Sequence, residues 1–207
     1  MSKIIAALLM TVGLLSQANA ALIVDTGAPY QNGQGWGMGN GQYFGGKFSV
    51  NSNQTINAIE GYFNAYNGGT VTYAIHADGG NAPGSVLFST NKTVADASEL
   101  GWYGVAGLGW DLGAGDYWVS FRPDTNFYGS MPGSATAPLA QYVQGSGDYN
   151  WYNFDATFFS YLQIGTRIDA SPTAVEPPAN DVPEPGSLAL LGLAMAGVGV
   201  ARRRRAK

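Results

Sequence analysis

Between about Ala21 and Ala170 apolar residues recur at every second position in several separate stretches, and none of them sustains a 3.6-residue period beyond two turns. That pattern specifies strands and leaves little room for an amphipathic helix. In Thr70–Ala77, Val71, Tyr73, Ile75 and Ala77 share one face while Thr70, Thr72 and His76 lie on the other. Tyr117, Val119 and Phe121 alternate in the same way with Trp118, Ser120 and Arg122, and Leu162, Ile164, Thr166 and Ile168 with Tyr161, Gln163 and Arg167. Further strands are expected over Phe44–Val50, Thr55–Tyr66, Ser85–Thr90, Trp102–Leu112 and Leu139–Val143, punctuated by Asn-Gly-Gly, Asp-Gly-Gly-Asn, Pro-Gly and Gly-Ala-Gly turn signals. Thirty glycines and 12% charged residues fit many short strands joined by turns. The expected fold is all-β, a single antiparallel β-sandwich of jelly-roll type. Trp102 and Trp110, in phase with Ala106, Leu108 and Leu112, are expected in its core.

The chain has no cysteine, so disulfides, thiol nucleophiles and thiolate metal sites are excluded and the fold must stand on packing. Lys3, Arg202, Arg203, Arg204, Arg205 and Lys207 lie in terminal segments expected to be removed or to sit at a membrane; without these six charges the formal net charge of −4 becomes −10. Only Lys47, Lys92, Arg122 and Arg167 then face 14 acids, which argues against nucleic acid as a partner.

Met1–Ala20 has a basic start at Lys3, an apolar run from Ile4 to Leu15, and Ala18 and Ala20 in an Ala-x-Ala arrangement. It reads as a signal peptide cleaved after Ala20, so that export through the Sec machinery and signal peptidase leaves a mature chain starting at Ala21. At the other end come Val182-Pro183-Glu184-Pro185, then an apolar stretch over 186–201, then Arg202, Arg203, Arg204 and Arg205. Two prolines around a glutamate give a stiff, extended peptide suited to a processing enzyme. As a helix, Gly186–Ala201 spans about 24 Å, marginal against a hydrocarbon core of about 30 Å, and the arginines hold the C-terminus on the cytoplasmic side. A permanent tail anchor would have nearer 20 apolar residues. Residues 171–181, with Pro172, Pro177 and Pro178, read as a linker between a 21–170 body and a 182–207 tail.

The motif, the short spanning segment and the terminal basic cluster, in that order, resemble the PEP-CTERM sorting signal over about the last 26 residues. The resemblance implies that an exosortase recognises the motif, removes the tail after transient anchoring in the inner membrane, and delivers the protein to the cell surface or exopolysaccharide matrix of a Gram-negative bacterium. Asp78–Leu87, with its Pro-Gly-Ser turn, and Trp110–Val119, with Gly115-Asp116-Tyr117-Trp118-Val119, are also similar to β-sandwich ectodomains that precede such tails. That likeness bears on the fold and assigns no chemistry.

The body offers little catalytic equipment. His76 is the one histidine, there is no Gly-x-Ser-x-Gly elbow, and its place beside Asp78 suggests a surface or turn-capping role. The Gly35–Gly41 run precedes no helical pattern and no phosphate-binding lysine, so a flexible loop is expected. Asp78 with Asn81, and Asp96 with Glu99, offer oxygens to calcium at spacings that match no defined loop; turn formation is expected, no cofactor, and calcium only as a structural ion.

Two loops combine aromatic rings with amides, the composition that stacks on sugars and serves their hydroxyls. One holds Trp36 among Gln31, Asn32, Gln34, Asn40 and Gln42; the other holds Tyr149, Trp151 and Tyr152 beside Asn150 and Asn153. The leading expectation is a non-enzymatic surface or matrix protein with a structural or interaction role. A carbohydrate-binding module for the matrix polysaccharide through Trp36, Tyr149, Trp151 and Tyr152 is the alternative. An extracellular hydrolase comes third and requires a cleft with two converging carboxylates.

Overall fold

The computed structural model describes residues 21–29, 35–39, 41–147, 150–153 and 162–173. The chain divides into two units, Met1–Thr173 and Ala174–Lys207, and the second lies wholly outside the described residues. Among the described residues there is no helix, and so none long and apolar enough to cross a membrane; the 186–201 segment is not among them.

The first unit is built from strands β1 (Ala21–Asp25), β2 (Gly35–Gly39), β3 (Gln42–Val50), β4 (Gln54–Asn67), β5 (Gly69–Asp78) and β6 (Pro83–Val94). They are followed by β7 (Ala97–Leu112), β8 (Gly115–Pro123), β9 (Tyr128–Pro132), β10 (Gln141–Ser146), β11 (Asn150–Asn153) and β12 (Thr166–Pro172). All pairings are antiparallel and join in one sheet of order β1-β12-β4-β9-β2-β3-β8-β5-β6, with β7 added to β4, and β10, carrying β11, added to β3. Ser171 and Pro172, expected to open the linker, close β12 opposite Thr55 and Gln54.

This arrangement corrects the two-layer sandwich: the strands form one continuous ladder that curls into a half-barrel, and the sheet buries its apolar face against itself. Strands as long as β4 and β7, 14 and 16 residues, need bends to follow that curl. Register shifts between Ile56 and Ala58 and between Phe63 and Ala65 supply them.

One face of the curl carries the core. Phe44 lies opposite Phe121 and Phe121 opposite Tyr73, while Ile75 pairs with Val119, so β3, β8 and β5 present one row of large side chains. Ile56, Ile59 and Phe63 from β4, Met38 from β2 and Met131 from β9 complete the same buried cluster. Two of its ring pairs meet edge to face, Tyr73 on Phe121 at 5.6 Å and Phe63 on Phe127 at 5.8 Å.

Strict alternation fails where both faces are buried. Tyr43–Gly46, Tyr73–His76 and Trp118–Phe121 are each four consecutive buried residues on the three central strands. His76, expected at the surface, is accordingly 1% exposed. Trp102 is a second correction. Gly107 and Gly109 adopt φ of +73° and +65°, where β7 runs four residues from Ala106 to Trp110 against two on β4, from Ala58 to Ile56. This bulge reverses the phase: Tyr103 and Val105 pack on the core before it, and Leu108, Trp110 and Leu112 after it. Trp110 stacks on Phe88 at 5.4 Å, whereas Trp102 lies beside Tyr62 with the Arg167 guanidinium 3.9 Å from its ring centre.

The strand β2 replaces the loop expected at 35–41, because its Trp36 and Met38 alternate with glycines whose backbone pairs with β9. Strands β1, β9 and β11 also went unforeseen; with four or five residues each they carry too short a pattern, and partner strands supply their hydrogen bonds.

Phe121→Ala, which empties the centre of the row, is expected to lower unfolding free energy by about 3–5 kcal/mol in a denaturant titration, whereas Leu22→Ala on half-exposed β1 should change it by less than about 0.5 kcal/mol.

Candidate functional site

The face of β3, β8 and β5 opposite the core holds most of the unusual side chains, and register explains why they meet. His76 pairs with Trp118, and Trp118 with Lys47, so the three lie in one row across β5, β8 and β3. In the next row Ala74, Ser120, Gly45 and Val143 are all small or slender. In a third, Gly145 sits between Tyr43 of β3 and Trp151 of β11. Lacking a side chain at Gly145, the two rings meet edge to face at 4.9 Å; a Cβ there would fall inside the Tyr43 ring. Trp151 then reaches across the small row to stand edge-on to His76, ring centres 5.6 Å apart.

Hydrogen bonds organise the polar members. Gly84 O can only accept, so His76 Nδ1, 3.3 Å away, carries the proton and Nε2 accepts from the Ser120 hydroxyl at 2.9 Å. This pairs a serine with a histidine as a hydrolase would, but Ser120 is fully buried, and Asp78 does not complete a triad. Asp78 instead accepts from Lys47 Nζ at 2.9 Å, from Trp118 Nε1 at 2.9 Å and from the Gly80 amide at 3.0 Å. Asp116 stands 3.7 Å from the same ammonium, which lies 6.0 Å from the Trp118 ring centre. The hydrogen bond to Asp78 holds Lys47 above the ordinary lysine value, and those from Lys47 and Trp118 hold Asp78 below the usual carboxylate range. Burial pushes His76 down, partly opposed by the Gly84 carbonyl.

The residues singled out for sugar binding that lie among the described ones sit in different surroundings. Trp36 packs against the core cluster, Trp151 is half-buried in the trough on the other face, and Tyr152 is 54% exposed. Tyr149 lies outside the described residues. So do Val182, Pro183, Glu184, Pro185, Arg202, Arg203, Arg204, Arg205, Ala18 and Ala20. Sequence reading did not connect Lys47, Asp116, Trp118 and Ser120 to His76, because those links are cross-strand. A cleft of about 510 Å³ between β6 and β7 is lined by Ser89, Thr90, Asn91 and Lys92 on one side and by residues 105–108 and Trp110 on the other, with no carboxylate among them.

The body is thus a β-rich ectodomain whose polar and aromatic residues are largely engaged with one another. The tail carries the functional signature: the PEP-CTERM protein-sorting motif matches residues 181–205, from the acid before Val182 to the last arginine. The motif implies an exosortase-sorted protein exported and brought to the cell surface of a Gram-negative bacterium through membrane-anchored transit. No curated protein matches the chain.

His76 makes the fold acid-sensitive. The unfolded chain takes up its proton near pH 6.5 while the buried ring resists, so stability is full above about 6.5 and falls as pH drops below it. Asp78, held low, adds a separate loss only as pH falls below 3.8. Unfolding free energy measured from pH 8 to 5 should therefore decline below about 6.5, and His76→Gln should flatten that step whatever its overall cost.

Proposed function

We propose that this is a non-enzymatic surface or matrix protein: the curled sheet is the exported part, and the tail is a temporary address. The observation that carries the reading is the sorting-motif match over residues 181–205. In this reading signal peptidase cuts after Ala20, the 186–201 segment holds the chain in the inner membrane with Arg202–Arg205 on the cytoplasmic side, and exosortase cuts near Pro185. The body then acts without a cofactor, by structure or by contact with exopolysaccharide. A cysteine-free packed sheet suits that role, since its stability is independent of the redox state outside the cell.

A second reading, a module that binds neutral saccharide, is supported by the large aromatics left exposed among the described residues, Tyr66, Tyr128 and Tyr152.

The sorting reading is tested by intact mass and fractionation of the protein from its host, with and without the exosortase. The expected product starts at Ala21, ends near Pro185 and leaves the membrane only when the enzyme is present. A species that keeps Arg202–Arg205 in the membrane of both strains would make the tail a plain anchor.

A further inference from the structure

Where β4 meets β9, at the rim of the half-barrel, the ladder carries a bulge: Ala65 lies opposite Gly129 and Asn67 opposite Tyr128, so Tyr66 is the inserted residue. A bulge of this kind re-aims side chains. Here Tyr66 and Tyr128 end side by side with ring centres 5.9 Å apart and a tilt of 35°, exposed to 55% and 57%. They are neither stacked face to face nor folded onto the body, and together they present a contiguous apolar surface where single exposed rings would be unremarkable.

The surroundings of this pair are fixed. Asn64, buried beneath it, accepts from the Ser130 amide at 2.8 Å and donates to Ser98 O at 3.4 Å, tying β4 to both neighbours. Asp124 accepts from the amides of Asn126 and Phe127, each at 3.0 Å, which sets the turn leading into Tyr128. Asp96 accepts from the Gly68 amide at 2.6 Å. The nearby acids serve backbone amides while remaining carboxylates, and beside them the rim offers a ligand two rings flanked by Asn67, Thr125 and Asn126, all exposed. Asn67 donates to Asn126 O at 2.6 Å, which orients its amide.

We propose that Tyr66 and Tyr128 form a binding platform for a neutral saccharide, whose apolar ring faces stack on the two phenols while Asn67 and Asn126 serve its hydroxyls. This rests on the saccharide-binding reading and moves its centre from Trp36, Tyr149, Trp151 and Tyr152 to a pair that only the strand register brings together. The carboxylates of Asp96 and Asp124 beside the pair, with no cation among the described residues flanking it, and the net charge of −10 left on the exported part argue for an uncharged glycan over an acidic one.

The test is affinity electrophoresis of the mature protein through gels containing dextran, galactomannan, xyloglucan or, as an acidic comparison, alginate. The wild type should be retarded by at least one neutral polymer and not by alginate. Tyr66→Ala and Tyr128→Ala should each weaken that retardation about tenfold while thermal unfolding stays unchanged, Tyr66→Phe should keep most of it, and Tyr152→Ala should leave it intact. Retardation that survives both alanine variants, or that is lost with Tyr152→Ala, overturns this platform and leaves the saccharide reading standing elsewhere on the body. No retardation of the wild type by any neutral polymer overturns both. A protein that sediments as an oligomer, and as a monomer only after Tyr66→Ala or Tyr128→Ala, identifies the pair as a self-association surface and overturns the proposal as well.

Discussion

Burial of β3, β8 and β5 on both faces is the constraint on which the rest of the structure depends. Without cysteine the fold has no covalent staple, and a sheet solvated on one side would bury half of what these strands bury. One face supplies the aromatic and aliphatic core inside the curl. The other is filled by Tyr43, Trp118, His76 and Trp151, and the polar atoms of its central row are paired: His76 with Ser120, and Trp118 and Lys47 with Asp78. Glycine at 145 is part of the same solution, since the Tyr43 ring occupies the space its side chain would need.

This explains which parts of the fold were legible in the sequence. Alternation of apolar and polar residues marks a strand even where its second face is also covered, and Thr70–Ala77, Tyr117–Phe121 and Phe44–Val50 all fall within observed strands. Alternation says nothing about what covers the second face, so His76 read as a turn residue. A period also presumes constant phase, and the bulge at Gly107 and Gly109 removes Trp102 from the face of Trp110. Whether many short strands form two sheets or one curled sheet depends on lateral pairing, and here pairs such as β1 with β12 join residues about 140 positions apart. No local signal encodes that choice.

The functional signals divide in the same way. A sorting signal is carried by consecutive residues, here the Val182-Pro183-Glu184-Pro185 motif, an apolar stretch and four arginines, and the motif match covers that segment. Surfaces of the body are made by register. Tyr66 and Tyr128 are 62 positions apart and become neighbours through one inserted residue in β4, while Trp151, conspicuous in an amide-rich run, is half consumed by packing on Tyr43 and His76. Amide-rich composition in a loop is therefore a weaker guide to which rings stay exposed in this chain than the places where its ladders are interrupted.

Native-state hydrogen exchange on the mature protein tests the central claim most directly, because protection reports which strands open only with the whole fold. The account predicts the slowest exchange in Tyr43–Gly46, Tyr73–His76 and Trp118–Phe121, with faster exchange in β1, β6 and β11 at the margins of the sheet. Fast exchange in those three central stretches, or protection greatest in β1 and β6, would contradict a sheet organised around two-sided burial of β3, β8 and β5.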